Sequence, residues 1–383
     1  MIVYDELRFD ELVAPVWEGG RVLEESVMFF GEGDRKSLLY RIDDIISVKS
    51  MDLETEYVRG KDYELDDGCI VLLENTSIPY MTRDIYYDSP TITDFLLTRV
   101  DGKFVPTYWG EGRTMTKFQV AVTYTHSGVW KGPIPPVRRE CFKNFLSKLE
   151  RGEDATMFFC GDSVTAGANA TAKDGLPPFM PTWPELVALT IAKKYKYRLR
   201  YVSTDFDRGS RLPKTDKVFG DRGTLTMINT AVGGWRVKNG ILDFEVHGEL
   251  FLRKYGCDLL ILGFGGNDGK NTLEEEHRYL SRLAHMFFEH TDAELMFISP
   301  MVNNPEAQEK WYGIQPQFQG VMEKLCEELS AEGHPSATVP MADLTGYILT
   351  KKKFRDYSAN NINHLNDFGI RIYAAAVLRT LMG

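Results

Sequence analysis

The stretch TMFFCGDSVTAG (residues 156–167) decides how this chain is read. TMFFC is a short, almost continuous apolar run, as expected of a strand covered on both faces of a parallel sheet. The run stops at Gly161-Asp162-Ser163, and small residues follow. A serine at such a strand exit has a backbone N–H that can point at an oxyanion. Taken alone, the tripeptide reads more readily as a capping or loop serine. The rest of the chain must decide between the two.

From Ala155 onward, strand and helix patterns alternate. The apolar runs are TMFFC (156–160), LTMINTAV (225–232), DLLILGF (258–264), ELMFISP (294–300) and ATVPMADL (337–344). Between them, Thr182 with Glu185 and Thr272 with Glu275 form capping boxes that open helices. GVMEKLCEEL gives another helix, and a last one runs from about Asp367 to Met382. This alternation predicts an α/β fold with a doubly wound parallel sheet and right-handed crossovers. In such a sheet, ligands sit beyond the carboxyl ends of the strands.

Four segments leave these strands or enter these helices through small or polar turns. Gly161-Asp162-Ser163 is the first. Asn229 to Trp235, NTAVGGW, is the second, and its paired glycines let a backbone N–H approach a ligand. GFGGND (263–268) is the third, where the Asn267 amide can donate to a developing oxyanion. NHLNDFG (363–369) is the fourth, and it places His364 in a loop before the last helix. Histidine is the natural general base near neutral pH. His277, His285 and His290 lie in an amphipathic helical stretch and read as surface or packing residues.

Each segment has an ordinary turn reading when taken singly. Their conjunction, Ser, Gly, Asn and His in order, resembles the SGNH/GDSL hydrolase superfamily over roughly residues 151–383. The β-rich front half is similar, in arrangement more than in motif, to two-domain carbohydrate acetylesterases with a jelly-roll domain. The resemblance implies a flavodoxin-like α/β/α domain without metal or organic cofactor. It implies Ser163 as nucleophile and His364 as base. It implies an oxyanion hole made of the Ser163 N–H, the Gly234 N–H and the Asn267 side chain.

One position departs from that pattern. The superfamily carries an Asp three residues before the histidine, and this chain has Asn361. An amide oxygen can accept from the imidazole but brings no charge. Asn361 therefore stands as a replacement for the usual Asp, with three alternatives. A backbone carbonyl orients His364 in a Ser-His dyad, which is the favoured expectation. Asp356 or Asp343 reaches it. Or the enzyme is slow.

The first part of the chain differs in kind. TKFQVAVTYT (116–125) alternates as a half-buried strand, and Asp66-Asp67-Gly68 reads as a hairpin turn between EYVRGKDYEL and CIVLL. Helical periodicity is weak there. These features predict an antiparallel β-sandwich or jelly-roll-like domain over residues 1–130. GVWKGPIPPVRR and ECFKNFLSKLERG predict a linker and lead-in helix over 131–150, followed by the hydrolase domain over 151–383.

Composition narrows the partners. The chain has 383 residues and a net charge of -10, and its one basic run is Lys351-Lys352-Lys353. That excludes a basic footprint for nucleic acid or an anionic membrane. No stretch approaches the ~18 apolar residues that span a bilayer. The acidic start MIVYDELRFDELVAPV is unlike a signal peptide, so a cytoplasmic protein is expected. Five scattered cysteines without a C-x-x-C fit reduced thiols rather than a zinc site. Asp162, Trp183 and Trp235 are the candidates on the substrate side. The expected substrate is a small molecule or oligosaccharide carrying a short acyl ester. A general acylhydrolase and a non-catalytic carbohydrate-binding relative are the rival readings. The oligomeric state is left open.

Overall fold

The structure is a computed structural model that describes residues 8–87, 96–202, 215–308 and 313–383. The opening seven residues of the acidic start lie outside the described residues. Among the described residues, the front half holds nine strands: β1 (Arg21–Met28), β2 (Arg35–Lys36), β3 (Asp44–Ser50), β4 (Glu56–Tyr57), β5 (Tyr63–Asp66), β6 (Cys69–Leu72), β7 (Leu97–Val100), β8 (Lys103–Pro106) and β9 (Gln119–Thr125). They form antiparallel sheets ordered β1-β9-β3-β4, β2-β6-β5 and β7-β8. The turn at Asp67-Gly68 joins β5 to β6, with Asp66 opposite Cys69. Both turn residues have positive φ, 46° and 73°. That is the two-residue turn whose twist matches a hairpin.

The second half holds β10 (Ala155–Gly161), β11 (Arg198–Val202), β12 (Lys217–Val218), β13 (Thr224–Asn229), β14 (Leu259–Gly263), β15 (Glu294–Ile298) and β16 (Ser336–Val339). They make one sheet ordered β12-β11-β13-β10-β14-β15-β16, parallel except for the antiparallel β11–β12 pair. Alternate residues face opposite layers. Met157, Phe159, Met227 and Ile261 join one apolar core, while Phe158, Cys160, Ile228 and Leu262 join another. Every residue of β10 is buried, so its pattern is apolar rather than alternating. The fold is thus α/β with antiparallel sheets ahead of it.

Two helices begin at capping boxes, Thr182 to Glu185 and Thr272 to Glu275. β16 stops at Val339, and Met341–Leu349 is helical where the sequence predicts a continued strand. Pro340 between them has no N–H for the sheet ladder. β9 is also not half-buried, since six of its seven residues are buried. Its polar face meets the C-terminal segment. The Gln119 side chain donates to the Arg355 and Ser358 carbonyls and accepts from Asn366 Nδ2. The same apolar core takes in Val120 and Val122 from the front half with Phe354, Tyr357 and Phe368 from the back. Among the described residues, no helix is long and apolar enough to cross a membrane.

Candidate active site

β10, β13 and β14 are neighbours, and their carboxyl ends lie level, with Gly161 beside Gly263 and Phe159 beside Asn229. Their exits therefore start at one edge of the sheet. The two terminal glycines have a steric reason. A Cβ on Gly161 would lie 2.4 Å from the Gly263 carbonyl oxygen, and one on Gly263 would lie 2.2 Å from Thr165 Oγ1. Only bare backbone lets the Thr165 hydroxyl fold back to donate to the Gly263 carbonyl at 3.0 Å. That bond curls the chain after β10 and sets Ser163 at the sheet edge.

Ser163 Oγ lies 2.9 Å from His364 Nε2. Both residues line a cleft of about 460 Å³ together with Gly234, Asn267, Asn363 and Trp109. Ser163 also borders a second cavity of about 20 Å³, lined by Asn267, Met301, Asn303 and Asn363. Gly234 has φ +77°, and Trp235 N–H bonds back to the Val232 carbonyl. That combination suits a turn demanding glycine at its third position. The Asn267 Nδ2 donates to the Trp235 carbonyl at 3.0 Å. An amide nitrogen carries two N–H groups, so one remains for a ligand.

Asp162 is buried and holds the turn together. One oxygen accepts from Val164 N–H and the other from Gly266 N–H. Burial pushes its carboxyl up to about 6, against the bonds from Val164 and Gly266 and the nearby His364 charge. Asp268 and Glu276 lie behind it, each pushed up first by burial and then by the neighbouring carboxylates. Asp268 accepts from Val237 N–H, which ties the exit of β14 to the helix after β13.

His364 sits in the loop before the last helix. The Asn360 side-chain oxygen accepts from the N–H groups of Ile362, Asn363 and His364, which wraps the loop around one amide. The Ser358 hydroxyl donates to the His364 carbonyl at 2.8 Å.

The sequence expectations about this loop need correcting. Asn361 does not face the imidazole. Its side-chain N–H groups go to the Tyr86 hydroxyl at 2.7 Å and the Tyr108 carbonyl at 2.9 Å, and its φ of +65° turns it into the front half. Asp356 accepts from Met28 N–H and Lys353 N–H, and Asp343 from Gln319 Nε2. The acceptors recorded at His364 Nδ1 are side chains rather than a backbone carbonyl. Asn169 Oδ1 lies at 2.8 Å and Glu111 Oε2 at 3.2 Å.

The substrate-side candidates also move. Trp183 is 1% exposed, donates its Nε1–H to the Val164 carbonyl and packs on Phe159 and Tyr373. It is a core residue. Trp235 is partly buried against the apolar core and does not line the cleft. Trp109 of the front half lines it instead. Sequence reasoning missed Trp109, Glu111, Asn169 and Asn360 as parts of the site. Asn169 lies in the loop after Ser163 and Asn360 just before the histidine segment, whereas Trp109 and Glu111 lie far from either.

No protein-family model matches the chain, and no curated protein matches it. Solved structures do. Axe2, an acetylxylan esterase from Geobacillus stearothermophilus, is 16% identical, with 60% of this chain and 94% of that one covered at a TM-score of 0.42. A lipase/acylhydrolase from Enterococcus faecalis is 17% identical, with 59% and 94% covered at 0.37. A two-domain esterase (CEX) active on acetylated mannans, co-crystallised with mannopentaose, is 14% identical, with 63% and 53% covered at 0.43. At scores this low the likenesses carry no weight, and the site stands on its own geometry.

Proposed function

We propose that the chain is an SGNH-type serine esterase that removes short acyl groups, acetyl first, from a carbohydrate alcohol. The observation that carries the reading is the 2.9 Å approach of Ser163 Oγ to His364 Nε2 at the mouth of a cleft. Ser163 attacks the ester carbonyl while His364 Nε2 takes the hydroxyl proton. The oxyanion rests on the N–H groups of Ser163 and Gly234 and on the Asn267 amide. His364 returns the proton to the departing alcohol, leaving an acyl-serine. Water, deprotonated by His364, then attacks the acyl carbon and releases the acid and free Ser163. No step draws on a metal.

Two cavities of unequal size support the choice of substrate. About 20 Å³ beside Ser163 holds one water- or methyl-sized group. The cleft of about 460 Å³ has room for a ring, with Trp109 as a stacking face and Asn360 and Asn363 as polar contacts. In this reading residues 1–130 are a β-rich domain that walls the cleft of the hydrolase domain at 151–383.

The test is turnover of p-nitrophenyl acetate, p-nitrophenyl octanoate and acetylated xylan or mannan oligosaccharides by wild type and Ser163→Ala. Acetate is expected to turn over fastest. The variant should lose at least ~10⁴-fold in kcat, since a serine-histidine pair acts as a unit. Faster octanoate cleavage would move the reading to a general acylhydrolase. No turnover dependent on Ser163 would leave a carbohydrate-binding relative.

A further inference from the structure

The proposed chemistry leaves one side of His364 unexplained. For Nε2 to accept the serine proton, a neutral imidazole must carry its hydrogen on Nδ1. That Nδ1–H needs an acceptor, and the imidazolium formed during attack gains from a nearby negative charge. The segment preceding His364 supplies neither: Asn361, Asp356 and Asp343 are all engaged elsewhere.

Both are supplied from further away. Asn169 Oδ1, from the loop after the nucleophile, lies at 2.8 Å and provides the acceptor without charge. Glu111 Oε2 lies at 3.2 Å and provides the charge, across 253 residues of sequence. Glu111 is itself held. Its Oε1 accepts from Asn360 Nδ2 at 3.0 Å, the same amide group whose oxygen shapes the histidine loop. The Thr114 hydroxyl donates to the Glu111 carbonyl at 2.7 Å and closes the turn that carries it. Partial burial pushes the Glu111 carboxyl up, but bonds from His364, Asn360 and Asn169 outweigh this and hold it below the usual glutamate range.

The competing reading is an ordinary surface ion pair, which is worth little. The Glu111 side chain is 56% exposed, so water screens it. Three features set it apart. It meets the nitrogen opposite the one facing Ser163, its two oxygens have separate fixed donors, and it lines the cleft. A sugar seated on Trp109 would exclude water from that wall, and the charge would then act at a lower effective dielectric.

We propose that Glu111, carried by the front half, is the anionic positioning residue for His364, with Asn169 sharing the Nδ1–H. This rests on the Ser163–His364 reading and adds that the hydrolase half is incomplete by itself.

The test compares wild type, Glu111→Gln, Glu111→Asp and Ser163→Ala on p-nitrophenyl acetate across pH. A parallel NMR titration of His364 is assigned with His364→Gln. The other charged groups around His364 are Asp162 behind the serine and Lys173 in the cleft, and both stay in place. Glu111→Gln keeps the shape and removes the charge. It should lower kcat about 10- to 100-fold with little change in KM, less than the ~10⁴ of a buried triad carboxylate. The acid limb of kcat/KM and the His364 titration should both move to lower pH, and Glu111→Asp should recover part of each. Wild-type kcat with an unmoved acid limb in Glu111→Gln would overturn the role. If wild type shows no turnover dependent on Ser163, the esterase reading fails separately. The NMR titration then still decides, and an unmoved midpoint overturns the role of Glu111.

Discussion

The two ring nitrogens of His364 face two regions of the molecule built by different rules. Nε2 faces the edge of the parallel sheet, where Ser163, Gly234 and Asn267 each follow an adjacent strand. Nδ1 faces a loop of the antiparallel front half through Glu111, with Asn169 at the same nitrogen. On the first side position follows from topology, because level parallel strands deliver their exits to one place. On the second side position follows from packing of the front half against the C-terminal segment, and no local pattern announces it. The contrast teaches that a strand-edge site can be complete on the side of Ser163 and, in the proposed reading, still depend on a loop of the front half for the histidine.

The largest stability effect should come from the buried join between the two regions. Lys352 Nζ lies 2.7 Å from Glu25 Oε1, and both side chains are essentially unexposed. The ammonium also donates to the Ser26 carbonyl, while Glu25 accepts from Tyr124 Oη and Leu39 N–H. Lys352→Met strands the carboxylate and should cost about 3–5 kcal/mol. Thermal unfolding followed by near- and far-ultraviolet circular dichroism should show one transition, shifted down. Two separated transitions in the variant would break the comparison, since the front half would then be an independent unit.

How much of this was legible follows the same divide. The capping boxes at Thr182 and Thr272, the hairpin at Asp67-Gly68 and the strand exits at Ser163 and Asn267 depend on residues a few positions apart. Local sequence carries them. β11 was missed because RLRYV alternates charge with apolar residues near the edge of the sheet, unlike the buried strands beside it. β9 reads as half-buried in the sequence because Gln119 and Thr123 look solvated, yet the Gln119 side chain bonds the C-terminal segment and Thr123 Oγ1 accepts from Glu24 N–H, and both are buried. Asn361 drew attention by its spacing from His364, yet its left-handed backbone points the side chain at Tyr86. Glu111 lies in TYWGEGR, a Gly-flanked loop with no catalytic spacing to anything.

A second prediction stays on the sheet-edge side. Asp367 is buried at the start of the last helix and accepts from Thr171 N–H and Oγ1. Burial pushes its carboxyl up to about 7, against the bonds from Thr171 and the charge of Arg371. The unfolded chain releases this proton near pH 4, and the folded chain keeps it until about 7. Stability from this group is therefore full below about pH 4, falls between about 4 and 7, and is level above. The fall should be on the order of 2 kcal/mol between pH 5 and 8. Asp367→Asn should start lower at pH 5, having lost an acceptor for Thr171, and lack that fall. Urea unfolding at three pH values reads the slope, and an equal slope in both proteins would place the titration elsewhere.

The smallest effect belongs to the front half alone. Gly68 has φ +73°, and a Cβ there would meet Arg41 Cγ at 2.4 Å. The arginine is a flexible, exposed side chain that can move aside, so the main cost of Gly68→Ala is the left-handed backbone, about 1 kcal/mol. This hairpin lines no part of the cleft, unlike the loop of Trp109 and Glu111. Gly68→Ala should therefore lower the melting temperature by a few degrees and leave kcat and KM on p-nitrophenyl acetate unchanged. A matching loss of kcat would mean that the whole front sheet, rather than one loop of it, holds His364. The dividing line would then run between the sheets and not between the two nitrogens of the ring.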